Sequence, residues 1–321
     1  MEYNATGGHI VKYAPIALFV FNRPQHTERI LDSLKKNTIA RQSKLLVFSD
    51  GPRNSEQLNA VLRVREIVSR ADGFQSITVH TNEHNLGLAE SIIQGMTVVL
   101  EDHNHVIILE DDLEFSPYFL SYMNEALTRY QNHRNIFSIS GYNLPPSLMP
   151  IPASYQYDVY CNLRSSSWGW GTWKDRFERV DWNVSDYERF TKSKKLTEAF
   201  NRGGEDLADM LKLQQEGKID SWAIRWVYAQ FKNMGLSITP IRSYVNNIGH
   251  DGTGTHCCKT DKYVNDLSLA KSDVKWITEL KVDEKLMENF CKNYAKHPNP
   301  PRSILHKVKQ KLTNLLSRPL F

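Results

Sequence analysis

The feature that most constrains the fold is an alternation of short apolar runs with amphipathic stretches over residues 12–140. The apolar runs lie at 15–21, 44–50, 76–80 and 106–109, and stretches with helical periodicity separate them at 27–36, 55–69 and 88–100. Nearly continuous apolar strands alternating with helices are typical of a mainly parallel sheet that is covered on both faces. The sequence therefore predicts an α/β, Rossmann-like fold.

Polar side chains follow each of these apolar runs. Asn22 and Arg23 follow the first, Asp50 the second, Asn82 the third, and Glu110 with its two acidic neighbours the fourth. Ligands of open parallel sheets bind beyond the carboxyl ends of the strands. We therefore expect a binding site at this edge of the sheet.

The acidic run Glu110-Asp111-Asp112 is the strongest candidate for chemistry. Mg²⁺ and Mn²⁺ take hard oxygen ligands, and one or two carboxylates with phosphate and water complete their octahedron. Adjacent residues leaving a strand point to opposite sides, so one acid can hold a metal while its neighbour contacts a ribose. The run predicts a site for a divalent cation and a diphosphate. A solvated acidic turn remains the alternative.

Composition excludes several classes of protein. The 321 residues are 40% hydrophobic and 24% charged, which suits one large folded domain, and a net charge of +4 does not indicate nucleic-acid binding. No run of eighteen apolar residues predicts a membrane span, and residues 1–11 do not resemble a signal peptide. The four cysteines do not form paired C-x-x-C units. A cytoplasmic setting is therefore expected.

Seven short motifs, in order along the chain, now resemble a known group. They are Phe21-Asn22-Arg23-Pro24, Ser49-Asp50-Gly51, Asn85-Leu86-Gly87, the acidic run, and the downstream strings at 168–173, 217–222 and 247–256. Together they look like GT-A-fold glycosyltransferases, and more closely like bacterial transferases of polysaccharide assembly, which are similar to the animal N-acetylglucosaminyltransferase I type. The resemblance covers residues 14–258. It implies a UDP-sugar donor, a glycan acceptor, Mn²⁺ or Mg²⁺, and inversion at the anomeric carbon in capsule or O-antigen synthesis.

The resemblance also implies roles for single residues on the donor side. Arg23 would approach the diphosphate or the base, Asp50 would accept a hydrogen bond from the uracil N–H, and Asp111 would contact the ribose or the sugar. Asp112 would hold the metal, and His256 would add a ligand or hydrogen-bond a phosphate. The full donor set is Phe21, Asn22, Arg23, Asp50, Asn85, Gly87, Glu110 and Asp111.

On the acceptor side, an inverting transferase needs a general base, and a carboxylate is expected. Asp220, the acid before Trp222, is the first candidate, and Asp206 is the second. An ordinary helix N-cap is the alternative for Asp220. Trp168, Trp170 and Trp222 are expected to offer flat faces to sugar rings. A second hydrophobic core is the alternative for the tryptophans.

The expected organisation is a catalytic domain at 12–270, with a nucleotide-sugar half at 12–140 and a helical, loop-rich acceptor half at 141–270. A C-terminal tail at 271–321 follows. Residues 302–321 combine basic side chains with an apolar helical stripe, which suits the anionic inner face of the cell membrane and a lipid-linked glycan acceptor. A helix packed on the domain, or a dimer contact, is the alternative, and the oligomeric state is not predicted.

Three other functions compete with a transferase. A nucleotidyltransferase would carry a Gly-rich loop after the first strand, where this chain has Asn22 and Arg23. A non-catalytic carbohydrate-binding protein would have lost the acids, which are present. A phosphatase of the haloacid dehalogenase type would need an aspartate pair after the first strand.

Overall fold

A computed structural model describes residues 13–252 and 259–295. Its first half alternates strands and helices as the apolar pattern predicts. The elements are β1 (Ile16–Val20), α1 (Pro24–Lys35), β2 (Lys44–Ser49), α2 (Ser55–Ser69), β3 (Ser76–Thr81), α3 (Leu88–Asp102) and β4 (His105–Glu110). The predicted bounds of α2 agree with the structure, because Asn54 caps the helix by accepting a hydrogen bond from the Gln57 amide.

The second half is less regular and richer in short elements. They are β5 (Leu113–Phe115), α4 (Phe119–Tyr130), β6 (Ile136–Ser140), β7 (Val159–Asn162), β8 (Trp170–Trp173), α5 (Lys174–Phe177), α6 (Tyr187–Thr191), α7 (Lys194–Phe200), α8 (Leu207–Gln215), α9 (Trp222–Lys232), β9 (Leu236–Pro240), β10 (Val245–Asn247) and α10 (Glu284–Cys291). Short 3₁₀ turns lie at Ala40–Gln42, Asn201–Gly203, Gly249–Asp251, Leu267–Leu269 and Lys292–Tyr294.

Eight strands form the central sheet in the order β3-β2-β1-β4-β8-β6-β9-β7. The pairs from β3 to β4 are parallel, β8 is antiparallel to both β4 and β6, β6 and β9 are parallel, and β7 is antiparallel to β9. A second ribbon pairs β10 with β5 antiparallel, directly after the acidic run. The expected mixed, mainly parallel GT-A sheet flanked by helices is confirmed.

The strands in the middle of the sheet, β1, β4, β8 and β6, are buried on both faces. Alternate residues of β1 pack into different cores: Leu18 faces the cluster that contains α1 and α4, whereas Phe19 faces the cluster that contains α3 and α9. Both residues are buried. This two-sided burial is the reason that the strand sequence is continuously apolar instead of alternating.

The expected boundary at residue 270 does not mark the end of the folded unit. Trp276, Ile277, Leu286 and Phe290 are buried in the same cluster as α1 and α4. The segment as far as residue 295 therefore belongs to the body of the domain, and the expected separation of 271–321 as a tail is wrong for 271–295. The amphipathic stretch at 302–321 lies outside the described residues. In the described part of the chain, no helix meets the length and apolarity that a membrane span requires.

Candidate active site

The acidic run emerges from the centre of the sheet, where β4 pairs with β1. The Oδ2 atom of Asp111 accepts a hydrogen bond of 3.3 Å from the Phe21 amide. The Nη1 atom of Arg23 lies 3.4 Å from Oδ2 of Asp112 and 3.9 Å from Oδ1 of Asp111. The end of β1 thus brings one guanidinium against two carboxylates, as the two strand ends predicted.

Burial and mutual repulsion raise the pKa of two of these acids. Burial, followed by the charge of Asp112, raises the pKa of Asp111 to about 7, although Arg23 and the Phe21 amide oppose the shift. Burial and then both aspartates hold the pKa of Glu110 well above its usual range, against a hydrogen bond from Trp222. The single cation of Arg23 therefore does not compensate the negative charge concentrated here.

Such a set of oxygens fits Mg²⁺ or Mn²⁺. Among residues 13–252 and 259–295, no group of three or more His, Cys, Asp or Glu side chains is arranged to hold a metal ion. A Mg²⁺-like ion bound together with a diphosphate needs only one or two protein carboxylates, and the acidic run supplies them. His256, the second expected metal residue, lies outside the described residues.

Asp50 organises the turn that starts α3. Its Oδ1 atom accepts hydrogen bonds from the amides of Gly51 and Leu86, both at 2.9 Å, and its Oδ2 atom accepts them from Asn85 Nδ2 at 2.7 Å and from the Gly87 amide at 3.1 Å. The N–H group of a nucleobase would have to compete with these donors for the carboxylate oxygens of Asp50. The structure thus assigns Asp50 to positioning the turn, and its contact with a base stays a prediction.

Gly87 is required by this turn. Its φ is +81°, a conformation that glycine adopts without the steric cost that other residues meet. Because Gly87 directs its amide to Asp50 and is the N-cap residue of α3, the helix begins beside the acidic run.

These groups surround a cavity of about 270 Å³, which we call the acid-lined cavity. It is lined by the expected Phe21, Asn22, Arg23, Asp50, Asn85, Glu110, Asp111 and Asp112, together with Phe19, Val20, Phe48, Arg53, Leu88, Ser91, Trp168 and Asn247. Arg53 was not predicted. Its guanidinium lies 5.3 Å from the centre of the Phe21 ring, and its Nε atom donates to Asn85 Oδ1 at 3.2 Å. The sequence signal that could have identified Arg53 is its position as a second cation, three residues after Asp50.

A second cavity of about 340 Å³ lies in the other half of the domain. Side chains at the ends of β6 and β7 form one side, and α8, α9 and α10 form the other, so we call it the amphipathic cavity. Its lining includes Asn143, Asn162, Arg164, Ser165, Ser166, Ser167, Thr239, Tyr142, Trp168, Tyr263, Tyr294, His250, Leu207, Met210, Ala223, Ile224, Val227 and Phe290. Trp168 lines both cavities.

Asp220 lies where helix α9 begins and does not itself line either cavity. Its Oδ2 atom is 3.6 Å from the point that a Cβ on Gly87 would occupy. Leu88, the residue after Gly87, lines the acid-lined cavity. Ala223, three residues after Asp220, lines the amphipathic cavity. Ser221, not Asp220, is the N-cap of α9, with its side chain accepting from the Ile224 amide. The capping alternative for Asp220 is therefore wrong.

Asp206 is already held by another group. Its two oxygens accept hydrogen bonds from Arg164 at 2.7 and 3.1 Å in a bidentate ion pair. Both oxygens of Asp206 are thus directed at the guanidinium and not at an acceptor hydroxyl. The structure therefore removes the reason for placing Asp206 second among the candidate bases.

Two of the three expected acceptor tryptophans lie beneath the site. Trp170 is 1% exposed on β8 and Trp222 is 3% exposed on α9, and their rings stack with centres 5.1 Å apart. The expectation that they face an acceptor is wrong, because β8 inserts between β4 and β6 and its side chains fill the core. The Trp222 side chain instead forms a hydrogen bond with Glu110, which opposes the rise in the pKa of that acid.

Comparisons with known proteins agree with this geometry. The chain matches glycosyl transferase family 2 over residues 16–204, more than half of its length. No curated protein sequence matches it.

Solved structures are only remotely similar. S. aureus TarS (1–349) has 11% identity and a TM-score of 0.39, with 74% of this chain and 61% of that chain covered. A Pyrobaculum calidifontis mannosyltransferase in complex with GDP-Man and Mn²⁺ has 14% identity and a TM-score of 0.38, with 69% and 70% covered. The chain thus spans less than two thirds of the TarS structure. The similarity to N-acetylglucosaminyltransferase I does not appear among these matches, and TM-scores this low carry no weight for function. By its family match, which covers more than half of its length, the chain belongs to glycosyl transferase family 2.

Proposed function

We propose that this protein is a glycosyltransferase that moves a sugar from a UDP-sugar to a glycan hydroxyl with inversion, in a reaction that depends on a divalent metal. The observation that carries the proposal is the pair of cavities that share Trp168. One is lined by carboxylates and cations suited to a metal diphosphate, and the other by the mixture of polar and aromatic groups that sugars require. The acid Asp220 lies next to residues of both.

The donor side of the proposal rests on the acid-lined cavity. Asp112 would hold Mn²⁺ or Mg²⁺, Asp111 would contact the ribose or the sugar, and Arg23 would approach the diphosphate. The metal, when bound, supplies Lewis-acid stabilisation of the leaving diphosphate. Arg53 adds a second cation and forms a wall with the Phe21 ring. The choice of UDP is supported only by the order of the sequence motifs.

Asp220 is the proposed general base. In a single displacement the acceptor oxygen attacks the anomeric carbon while the bond from that carbon to the diphosphate oxygen breaks. The hydroxyl proton passes to a carboxylate on the face opposite the leaving group. The Asp220 side chain is 66% exposed, and among residues 13–252 and 259–295 its ion-pair partner is Arg225, at 3.7 Å. One of its oxygens is therefore available to a hydroxyl group.

We propose the same division of labour for the two halves of the chain, with residues 12–140 binding the donor and residues from 141 onward, as far as 295, binding the acceptor. The motif resemblance supports a role in bacterial surface polysaccharide synthesis. The basic, apolar-striped sequence at 302–321 supports contact with an anionic membrane and a lipid-linked acceptor. This contact rests on sequence alone.

The test is a panel of UDP, GDP, CMP and their common sugar conjugates, each with Mn²⁺ and with EDTA, read by thermal shift and calorimetry. Stabilisation by UDP and its conjugates that EDTA abolishes is expected. Stronger stabilisation by GDP than by UDP would overturn the choice of uracil as the nucleobase. Stabilisation that survives EDTA would overturn the metal dependence. No stabilisation by any nucleotide would favour a non-catalytic binding protein. Membership of glycosyl transferase family 2 supports a glycosyltransferase over the alternative of a nucleotidyltransferase.

A further inference from the structure

The amphipathic cavity has two unlike walls, and this asymmetry indicates what it binds. We propose that it holds a neutral sugar that carries a methyl group, either in an acetamido substituent or at a 6-deoxy position, as the terminal residue of the acceptor. The inference rests on the proposed function, because it identifies this cavity as the acceptor side of the reaction.

The polar wall contains planar side chains near the ends of β6 and β7, the two strands that flank β9. Asn143 Oδ1 accepts a 3.1 Å hydrogen bond from the Tyr160 hydroxyl, and Asn162 Oδ1 accepts one of 2.9 Å from the Arg164 amide. These internal bonds fix the orientation of both carboxamides. Each carboxamide also donates one internal hydrogen bond, Asn143 to the Ile241 carbonyl and Asn162 to the Tyr160 hydroxyl. A carboxamide has a second lone pair and a second N–H hydrogen to offer to sugar hydroxyls, and the flat ring of Trp168 suits the C–H face of a pyranose.

The opposite wall is apolar and rigid. Leu207, Ile224 and Val227 are buried at 1%, 2% and 4% exposure, and Phe290 completes the wall from α10. A sugar that turned only hydroxyl groups to this wall would lose hydrogen bonds to water without replacement. A methyl group placed there would instead be removed from water. The wall therefore selects a sugar with one apolar substituent.

Charge in the cavity argues against an acidic sugar. The guanidinium of Arg164 lines the cavity, but both of its outer nitrogens bind Asp206, and the Tyr294 ring lies 4.1 Å from its central carbon. The pair is neutral as a whole, and its geometry already uses the donor fork that would bind a sugar carboxylate. A uronic acid would enter without a counter-charge, at a desolvation cost.

Four methyl β-D-glycosides that differ at single positions test the inference: the glucoside, its 6-deoxy form, the N-acetylglucosaminide and the glucuronide. Their dissociation constants would be measured by saturation-transfer NMR on the full chain with UDP and Mn²⁺ present, and repeated in the galacto series. We expect the 6-deoxy or the acetamido sugar to bind more tightly than the parent by about fourfold, the value of one buried methylene-sized group, and the glucuronide to bind most weakly. Equal affinities, tightest binding of the glucuronide, or no measurable binding of any of the sugars would overturn it.

Two variants sharpen the result. Val227→Thr keeps the shape of the wall but adds a hydroxyl, so the preference for the methyl-bearing sugar should fall to near unity. Asp206→Asn leaves Arg164 charged without its partner, so glucuronide binding should improve while binding of the neutral sugars changes little. An unchanged preference in both variants would refute the assignment of the walls. Leu196→Ala, on an exposed part of α7, is the control for folding.

A separate titration with UDP and Mn²⁺ distinguishes this inference from the proposed function. Loss of sugar selectivity with intact nucleotide binding would refute only the acceptor assignment. Intact selectivity without metal-dependent nucleotide binding would refute only the proposed donor chemistry.

Discussion

Gly249 lies so close to Asp112 that a Cβ atom at position 249 would overlap the Oδ2 atom of that carboxylate. The same segment holds the backbone of Asp112, because the Ile248 amide donates a 2.7 Å hydrogen bond to the Asp112 carbonyl. The pairing of β10 with β5 brings the two residues together from 137 positions apart in the chain. The space for the proposed metal ligand therefore depends on a glycine from the second half of the chain.

Gly249→Ala should weaken metal-dependent UDP binding without removing any ligand. The added methyl must displace the Asp112 carboxylate, and Gly249 does not have a left-handed backbone that would add strain of its own. Calorimetry with Mn²⁺ should show at least tenfold weaker binding, the cost of about 1.4 kcal/mol from a misplaced ligand. Gly217→Ala, in an open left-handed turn, should lose stability but keep the affinity. Wild-type affinity in Gly249→Ala would contradict the proposed position of the metal.

Asp112→Ala should abolish Mn²⁺-dependent nucleotide binding with the fold intact. Asp112 lines the acid-lined cavity, and its removal relieves the electrostatic repulsion that it exerts on Glu110 and Asp111. Calorimetry should detect no difference between Mn²⁺ and EDTA in this variant, and circular dichroism should match the wild type. Asp102→Ala, at the far end of α3, is the matched control. Unchanged UDP–Mn²⁺ affinity would move the metal role to another acid.

Asp220→Asn should keep donor binding and lower kcat by roughly 10²-fold or more, the scale of a lost general base. The amide preserves the size of the side chain, and Ser221 still caps α9. Release of UDP during turnover gives kcat, and UDP titration gives donor affinity. Glu216→Gln, an exposed acid in the same connection, should leave both values unchanged. A near-normal kcat in Asp220→Asn would refute the proposed base.

Trp168→Ala should raise KM for donor and acceptor together, because this ring lines both cavities. Each loss should be about fivefold or more, in line with an aromatic contact of about 1 kcal/mol. Trp168→Phe retains part of the aromatic surface, so its KM values should lie between those of the wild type and those of Trp168→Ala. Initial rates with each substrate varied in turn give both constants. An effect confined to one substrate would show that the cavities do not share this wall during turnover.

Asp111→Asn should stabilise the metal-free protein above neutral pH. The folded pKa of about 7 exceeds the ordinary value of 3.8, so the folded state binds the proton more tightly than the unfolded state. The free energy of unfolding of the wild type therefore falls as pH rises from about 4 to 7 and stays low above it. Asparagine removes this loss and still accepts from the Phe21 amide. Tm measured with EDTA should be higher in the variant at pH 8, with a difference that vanishes near pH 4. A constant difference across this range would contradict the shifted pKa.

The sequence by itself determined the fold of residues 13–140, the half of the chain that we propose binds the donor. Continuous apolar strands, amphipathic helices and polar strand ends are local patterns, and the topology of a parallel sheet converts them directly into one rim. Arg23, Asp111 and Asp112 meet there because two neighbouring strands end at the same edge. The place of Asp220 at the start of a helix was also readable, because Trp222 begins a strong apolar period.

The features that depend on packing between distant parts of the chain were decided only by the tertiary structure. Trp170 and Trp222 looked like ligand platforms, but β8 inserts into the sheet and buries them, and strand order across antiparallel insertions is not encoded in a local period. Asp206 looked available until Arg164, 42 residues earlier, was seen to hold it. The residues at 271–295 looked like a tail until their apolar side chains packed into the core. In each case the outcome depended on which distant surface a side chain met, and a single sequence leaves that choice open because many partners satisfy the same burial requirement.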